Sequence, residues 1–258
     1  AQEEGSVDTY VSFSPDVPQG ARLKCLEELK DANFNVKESV ARISHLALEE
    51  CCRQEARQDI FSKPGHYLVL VATNDNLHYV IYEKPASSDL YLRTREDMLP
   101  GFGLDMRRRA LVESVVENIN RATHFLSTPE EYAREYVRME RFAYDWLRII
   151  ADHNPHIPVT LPDITLATAP NNPFAVTINR SQLDDRTSGI VDNIVRTITG
   201  FIKDCGLTAN DIKGIVFIGN TFTNDSFREA MKRYFAIDER AMPLYRDRDL
   251  PRIVNTYN

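Results

Sequence analysis

The sequence predicts an α/β protein: a mixed sheet flanked by helices, with a small α+β unit inserted. Three stretches carry that expectation. Residues 174–235 read strand, helix, buried strand, polar turn, helix. Residues 67–82 read as a β-hairpin, and residues 158–178 as two strands of a small antiparallel sheet.

Along the chain, Tyr10 to Phe13 reads as a strand ended by Pro15 and Pro18. Residues 21–32 read as a helix with Leu23, Leu26 and Leu29 facing a core, and residues 36–53 as a second helix. Residues 54–65 are polar and read as a connector. The apolar run at 67–72, a tight turn at Asn74, Asp75 and Asn76, and a returning run at 77–82 make the hairpin. A further strand is expected around 90–92, and a helix from about 100 to 125.

Thr128, Pro129, Glu130 and Glu131 form a strong helix start: a cap, proline at the first position, and acids at the positive end of the helix dipole. That helix is expected to run to about residue 150, with Tyr132, Tyr136, Met139, Phe142 and Trp146 as a core-facing aromatic stripe. Phe174, Val176 and Ile178 then alternate with smaller residues at strand period. Ile190, Ile194, Ile198 and Ile202 form an i, i+4 stripe, stopped where Gly206 supplies a left-handed residue. Thr208 and Asp211 read as a capping pair. The run from Gly214 to Gly219 has the glycine-bounded apolar form of a strand buried on both faces, and Phe227, Met231 and Phe235 mark the amphipathic helix after it.

Composition excludes several function classes. The 258 residues are 43% hydrophobic and 27% charged, an ordinary globular balance, and the net charge of −7 argues against nucleic acid as the main partner. The run Arg107-Arg108-Arg109 is read as a solvated helix face. No apolar stretch approaches the ~20 residues a membrane span needs. Four cysteines without framework spacing fit a reduced, intracellular protein, and the expected location is the cytoplasm. The absence of an initiator methionine suggests a processed chain or a fragment. Cys51 and Cys52 with His45, and the pair His153 and His156, are weak metal patterns; core packing and surface histidines are the preferred readings. His78 is read as a packed or hydrated strand histidine in preference to a proton carrier.

The order and spacing of these pieces resemble the end of the ATPase domain of the DnaK-type heat-shock chaperones. There a strand ending T-R precedes a long helix, D-A-G-L, a D-I-D turn, and a strand closing in V-G-G-S-T-R. Here the matching pieces are Ile178-Asn179-Arg180, Asp204-Cys205-Gly206-Leu207, Asp211-Ile212-Lys213, and Ile218-Gly219-Asn220-Thr221-Phe222-Thr223. Phe34-Asn35-Val36 matches an L-N-V, and Leu161-Pro162-Asp163-Ile164-Thr165 an N-L-P-Y-I-T. The resemblance implies an actin-like ATPase (ribonuclease H-like) fold. It divides the chain into the end of lobe I (1–59), the first part of the lobe II lower subdomain (60–123), the lobe II upper subdomain (124–184) and the second part of the lower subdomain (185–258). The peptide-binding domain and the first part of lobe I have no counterpart.

The resemblance also implies a site for ATP or ADP, and here the letters depart from the pattern. The family's D-L-G-G-G-T-F-D hairpin, whose bare glycines reach the phosphates, corresponds to residues 71–78, so that Thr73, Asn74, Asp75 and Asn76 form a degenerate phosphate loop. Asp75 adds negative charge where phosphates would lie; at ~4 Å and an effective dielectric near 20 such a pair repels by roughly 4 kcal/mol. The family's acidic residue near the nucleotide falls on Arg42. Its ribose and adenine contacts fall on Asp145, Arg148 and Asp152, and on Gly219, Asn220 and Thr221. An exposed ion pair explains Asp145 and Arg148 equally well. The family's adenine-stacking arginine is Thr223; Phe222 is read as packing under the following helix. Loss of glycine, acid and arginine around one cleft predicts a non-hydrolysing scaffold or interaction module that engages a protein partner. The alternative is a chaperone ATPase completed by a missing N-terminal segment.

Overall fold

In the computed structural model, residues 8–13, 17–38, 42–73, 75–123, 126, 128–153, 157–223 and 225–256 are described. The elements in chain order are β1 (Asp8–Val11), α1 (Gln19–Asp31), β2 (Asn35–Glu38), α2 (Ile43–Arg53), α3 (Glu55–Phe61), β3 (Gly65–Ala72), β4 (Asn76–Lys84) and β5 (Leu92–Pro100). There follow α4 (Leu104–Thr123), α5 (Pro129–Glu140), α6 (Ala143–Asp152), β6 (Val159–Leu166), β7 (Ala169–Ile178) and α7 (Arg180–Asp204). The chain then runs through β8 (Ile212–Ile218), α8 (Asp225–Phe235), β9 (Leu244–Tyr245) and α9 (Leu250–Thr256).

A mixed five-stranded sheet is the centre, in the order β5-β4-β3-β8-β9. β3, β4 and β5 form an antiparallel meander, while β8 runs parallel to β3 and β9 parallel to β8. Strand alternation sends successive residues of β3 to opposite faces. Leu68 and Leu70 join Tyr79, Ile81, Ile215 and Phe217 beneath α7 and α8. Tyr67, Val69 and Val71 join Val80, Val216 and Ile218 against α2, α3 and α9. A third core lies where α4, α5 and α6 cover the antiparallel pair β6–β7. Among the described residues no helix is long and apolar enough to cross a membrane.

The local signals act as their chemistry requires. Thr128 accepts a hydrogen bond from the Glu131 N–H while the Glu131 carboxylate accepts from Thr128 N–H, a reciprocal capping box behind Pro129. Thr208 donates both its N–H and its hydroxyl to the Asp211 carboxylate, each at 2.7 Å, and so caps a short 3-10 turn. Gly206 takes φ 74° at the end of α7, whose buried face carries Ile194, Ile198 and Ile202.

Several expectations are corrected. Residues 36–53 are not one helix: residues 35–38 form β2, parallel to β1, and α2 begins only at Ile43. Residues 54–65 are not a plain connector but contain α3, held because Phe61 buries completely against the sheet. The strand expected at 90–92 begins only at Leu92 and runs to Pro100. The helix expected over 128–150 breaks at Arg141 and Phe142. Its core stripe is Met139, Ala143, Leu147 and Ile150, so Phe142 is exposed and stacks on Trp146, ring centroids 6.0 Å apart. Finally, Arg107 is buried rather than solvated, and Leu23 is exposed rather than core-facing.

Candidate functional site

β3 and β8 are adjacent and parallel, with Val71 beside Ile218, so their carboxyl ends open into one crevice, the usual ligand position in α/β sheets. A cavity of about 530 Å³ occupies it. Val71, Ala72 and Thr73 enter it from β3 and the turn beyond; Ile218, Gly219, Asn220 and Thr221 enter it from the end of β8. The remaining walls are apolar, from Phe13 and Val17 near the chain start, Ile43 of α2, and Leu250 and Val254 of α9.

Gly219 sets how closely the two strand ends approach. It has φ 115°, donates its N–H to the Tyr245 carbonyl at 2.9 Å, and lies so near β3 that an added Cβ would stand 2.6 Å from the Ala72 carbonyl oxygen. Only glycine combines that backbone conformation with that approach.

The turn between β3 and β4 closes on itself. Thr73 N–H donates to the Asn76 carbonyl at 2.9 Å, and Asn76 N–H donates to Thr73 Oγ1 at 3.1 Å. The Asp75 carbonyl accepts from Gly101 N–H at 2.8 Å, and Asp75, an exposed residue, lines the cavity. Asn74 lies outside the described residues. Two backbone donors that a phosphate-binding turn would direct at an anion are thus already engaged within the turn.

A chain of polar contacts fixes the opposite wall. Asp184 of α7 pairs with Arg107 Nη2 of α4 at 3.1 Å, and Arg107 Nη1 donates to Thr223 Oγ1 at 3.0 Å. Thr223 Oγ1 in turn donates to the Asn220 carbonyl at 2.8 Å, and Asn220 Nδ2 donates to Asp247 Oδ2 at 2.7 Å. Asp247 N–H returns a longer bond, 3.4 Å, to Asn220 Oδ1. Asp247 keeps contact with solvent at the cavity mouth, while the protein crowding its other side raises its carboxyl above the ordinary value, opposed by hydrogen bonding from Asn220. Thr221 is 7% exposed, and its Oγ1 has no hydrogen-bond partner.

The residues expected from the sequence divide accordingly. Thr73, Asp75, Gly219, Asn220 and Thr221 meet at the cavity. Asn76 holds the turn. Asp145 and Arg148 are not among its described lining; they form a 3.8 Å pair on α6 with both side chains about three-quarters exposed. The Asp152 side chain lies outside the described residues. Phe222 is buried between Phe217 and Phe227, at 5.2 and 5.3 Å between ring centroids, so it offers no free ring face. Arg42 pairs with Glu96 of β5 and lines a smaller pocket of about 200 Å³ with the half-buried His78.

Arg107, Asp184 and Asp247 are the contributors that sequence reasoning missed. Arg107 sits inside a basic run, and Asp247 lies between two arginines, so both look like surface charge. The metal patterns resolve into other contacts. Cys51 is buried, bonds the Tyr245 hydroxyl at 3.2 Å, and has its thiol pushed up to about 12 by burial. His45 bonds Glu49 at 2.9 Å and His153 bonds the Ile149 carbonyl; His156 lies outside the described residues. Among the described residues no group of three or more His, Cys, Asp or Glu could hold a metal ion. No protein-family model matches the chain.

Proposed function

We propose that the chain is a DnaK-type chaperone lobe of actin-like (ribonuclease H-like) architecture, acting in the cytoplasm as a non-hydrolysing scaffold or interaction module for a protein partner. The architecture is supported by the mixed five-stranded sheet with helices on both faces. It is also supported by the α5, α6, β6 and β7 unit, which is inserted between α4 and α7 and has its own core. That unit corresponds to the proposed upper subdomain, 124–184, packed on the outer part of α4.

One observation carries the functional reading. The Thr73–Asn76 turn binds its own backbone and brings the acidic residue Asp75 to the cavity, where the resembled family has bare glycine N–H groups facing phosphates. A triphosphate there would meet acidic charge and engaged donors. The competing reading is a chaperone ATPase that binds ATP or ADP. The cavity's place at the carboxyl ends of two parallel strands favours it. Calorimetric titration with Mg-ATP, together with phosphate-release kinetics, separates the two. Both are applied to this chain and to one carrying any further N-terminal sequence its gene encodes. The scaffold reading predicts no saturable heat and no release above buffer for either chain; micromolar binding or turnover would overturn it.

A further inference from the structure

We infer that the cavity between the ends of β3 and β8 is a binding site for a small organic cation, an ammonium group carried on a compact apolar body. The inference rests on the reading above, in which this crevice no longer serves a triphosphate. Its volume of about 530 Å³ lies within the range of about 300–1,000 Å³ usual for small-molecule sites. Phe13, Ile43, Val71, Ile218, Leu250 and Val254 give it apolar walls that exclude water from a hydrocarbon or aromatic body.

The polar groups select the sign of the ligand. Among the described lining residues the ionisable side chains are Asp75 and Asp247, both acidic, with no lysine, arginine or histidine. Asn220 Nδ2 donates to the Asp247 carboxylate and Asn220 Oδ1 accepts from the Asp247 backbone N–H, so the carboxylate is held by one hydrogen bond before any ligand arrives. Thr221 supplies the independent sign of an absent partner: a buried hydroxyl on the same wall with no hydrogen-bond partner. An ammonium has donors and no acceptors, and both carboxylates and a hydroxyl oxygen can accept from it. A ligand carboxylate or phosphate would face two like charges and, among the described lining residues, no cation.

The test compares ligands that share a body and differ in charge. Tryptamine and indole-3-propionate, and phenethylamine and 3-phenylpropionate, are titrated into this chain by calorimetry and by ligand-observed NMR. The inference predicts that the amines bind at least about tenfold tighter than the matched carboxylates. Asp75→Asn/Asp247→Asn should close most of that gap, and Thr221→Val should weaken the amines while leaving the circular dichroism and thermal melt of a folded chain. Equal binding of amines and carboxylates, no amine binding at all, or a gap unchanged in the double variant would overturn it. A parallel Mg-ATP titration keeps the two readings apart. Saturable Mg-ATP binding that displaces tryptamine refutes the scaffold reading, whereas absence of binding by both Mg-ATP and the amines refutes only the cation site.

Discussion

Replacing Arg107 by methionine should cost about 3–5 kcal/mol, the usual loss on breaking a buried ion pair from one side. The Arg107 side chain is 4% exposed and that of Asp184 10%, with Nη2 and Oδ1 3.1 Å apart. Methionine fills much of the same volume, so a cavity contributes little. The loss comes from removing the cation beside a desolvated carboxylate, and the donor to Thr223 with it. Because α4, α7 and the 3-10 turn after β8 meet through these contacts, the damage is expected in the cooperative unfolding of the whole sheet. Arg107→Met/Asp184→Leu removes both charges and both desolvation costs, and should recover most of the stability. The assay is urea unfolding of the four members of the double-mutant cycle, followed by circular dichroism at low and high salt. A buried pair should show little salt dependence. A loss below about 1 kcal/mol for Arg107→Met, the magnitude of an exposed pair, would refute the reasoning. So would a double variant as unstable as the sum of the two single ones.

Three further outcomes follow from the same structure. Gly219→Ala should destabilise by at least about 2 kcal/mol in thermal or urea unfolding, since alanine at φ 115° is strained and its Cβ meets the Ala72 carbonyl. Asp247→Asn should be more stable than the wild type at neutral pH. A carboxyl raised in the folded chain adds stability below its unfolded value and loses that contribution as pH rises through its folded value, so the advantage of asparagine should vanish below about pH 4, as urea midpoints across pH would show. Cys51 should resist iodoacetamide in the native chain at pH 8, where a thiol pushed up to about 12 is ionised to roughly one part in ten thousand, and react once urea unfolds it; mass spectrometry reads both states.

Much of the fold was legible where a local rule and the tertiary need coincide. The β3–β4 hairpin, the stripe of α7, the Gly206 stop and the Thr128 and Thr208 caps all belong to that group. Segments whose partner is remote in sequence were not legible. β2 is four residues whose strand character comes from pairing with β1, and the α3 segment looks polar until Phe61 is seen under the sheet. The aromatic stripe held for Tyr132, Tyr136, Met139 and Trp146, which pack against that core, but misled at Phe142, since the helix breaks there and α6 buries Ala143, Leu147 and Ile150 instead. At the site, the strand ends and the lack of glycine at residues 73–76 could be read from the letters. Arg107 could not, since its burial depends on Asp184, 77 residues later.

The backbone amides of the Thr73–Asn76 turn test the central claim most directly. Their ¹⁵N–¹H shifts, with that of Gly219, can be followed as Mg-ATP is added to the isotopically labelled chain. With the Thr73 and Asn76 donors engaged inside the turn and Asp75 at the cavity, these amides should stay in place up to millimolar nucleotide. Saturable movement of the Thr73 and Asn76 signals with a micromolar midpoint would contradict the account.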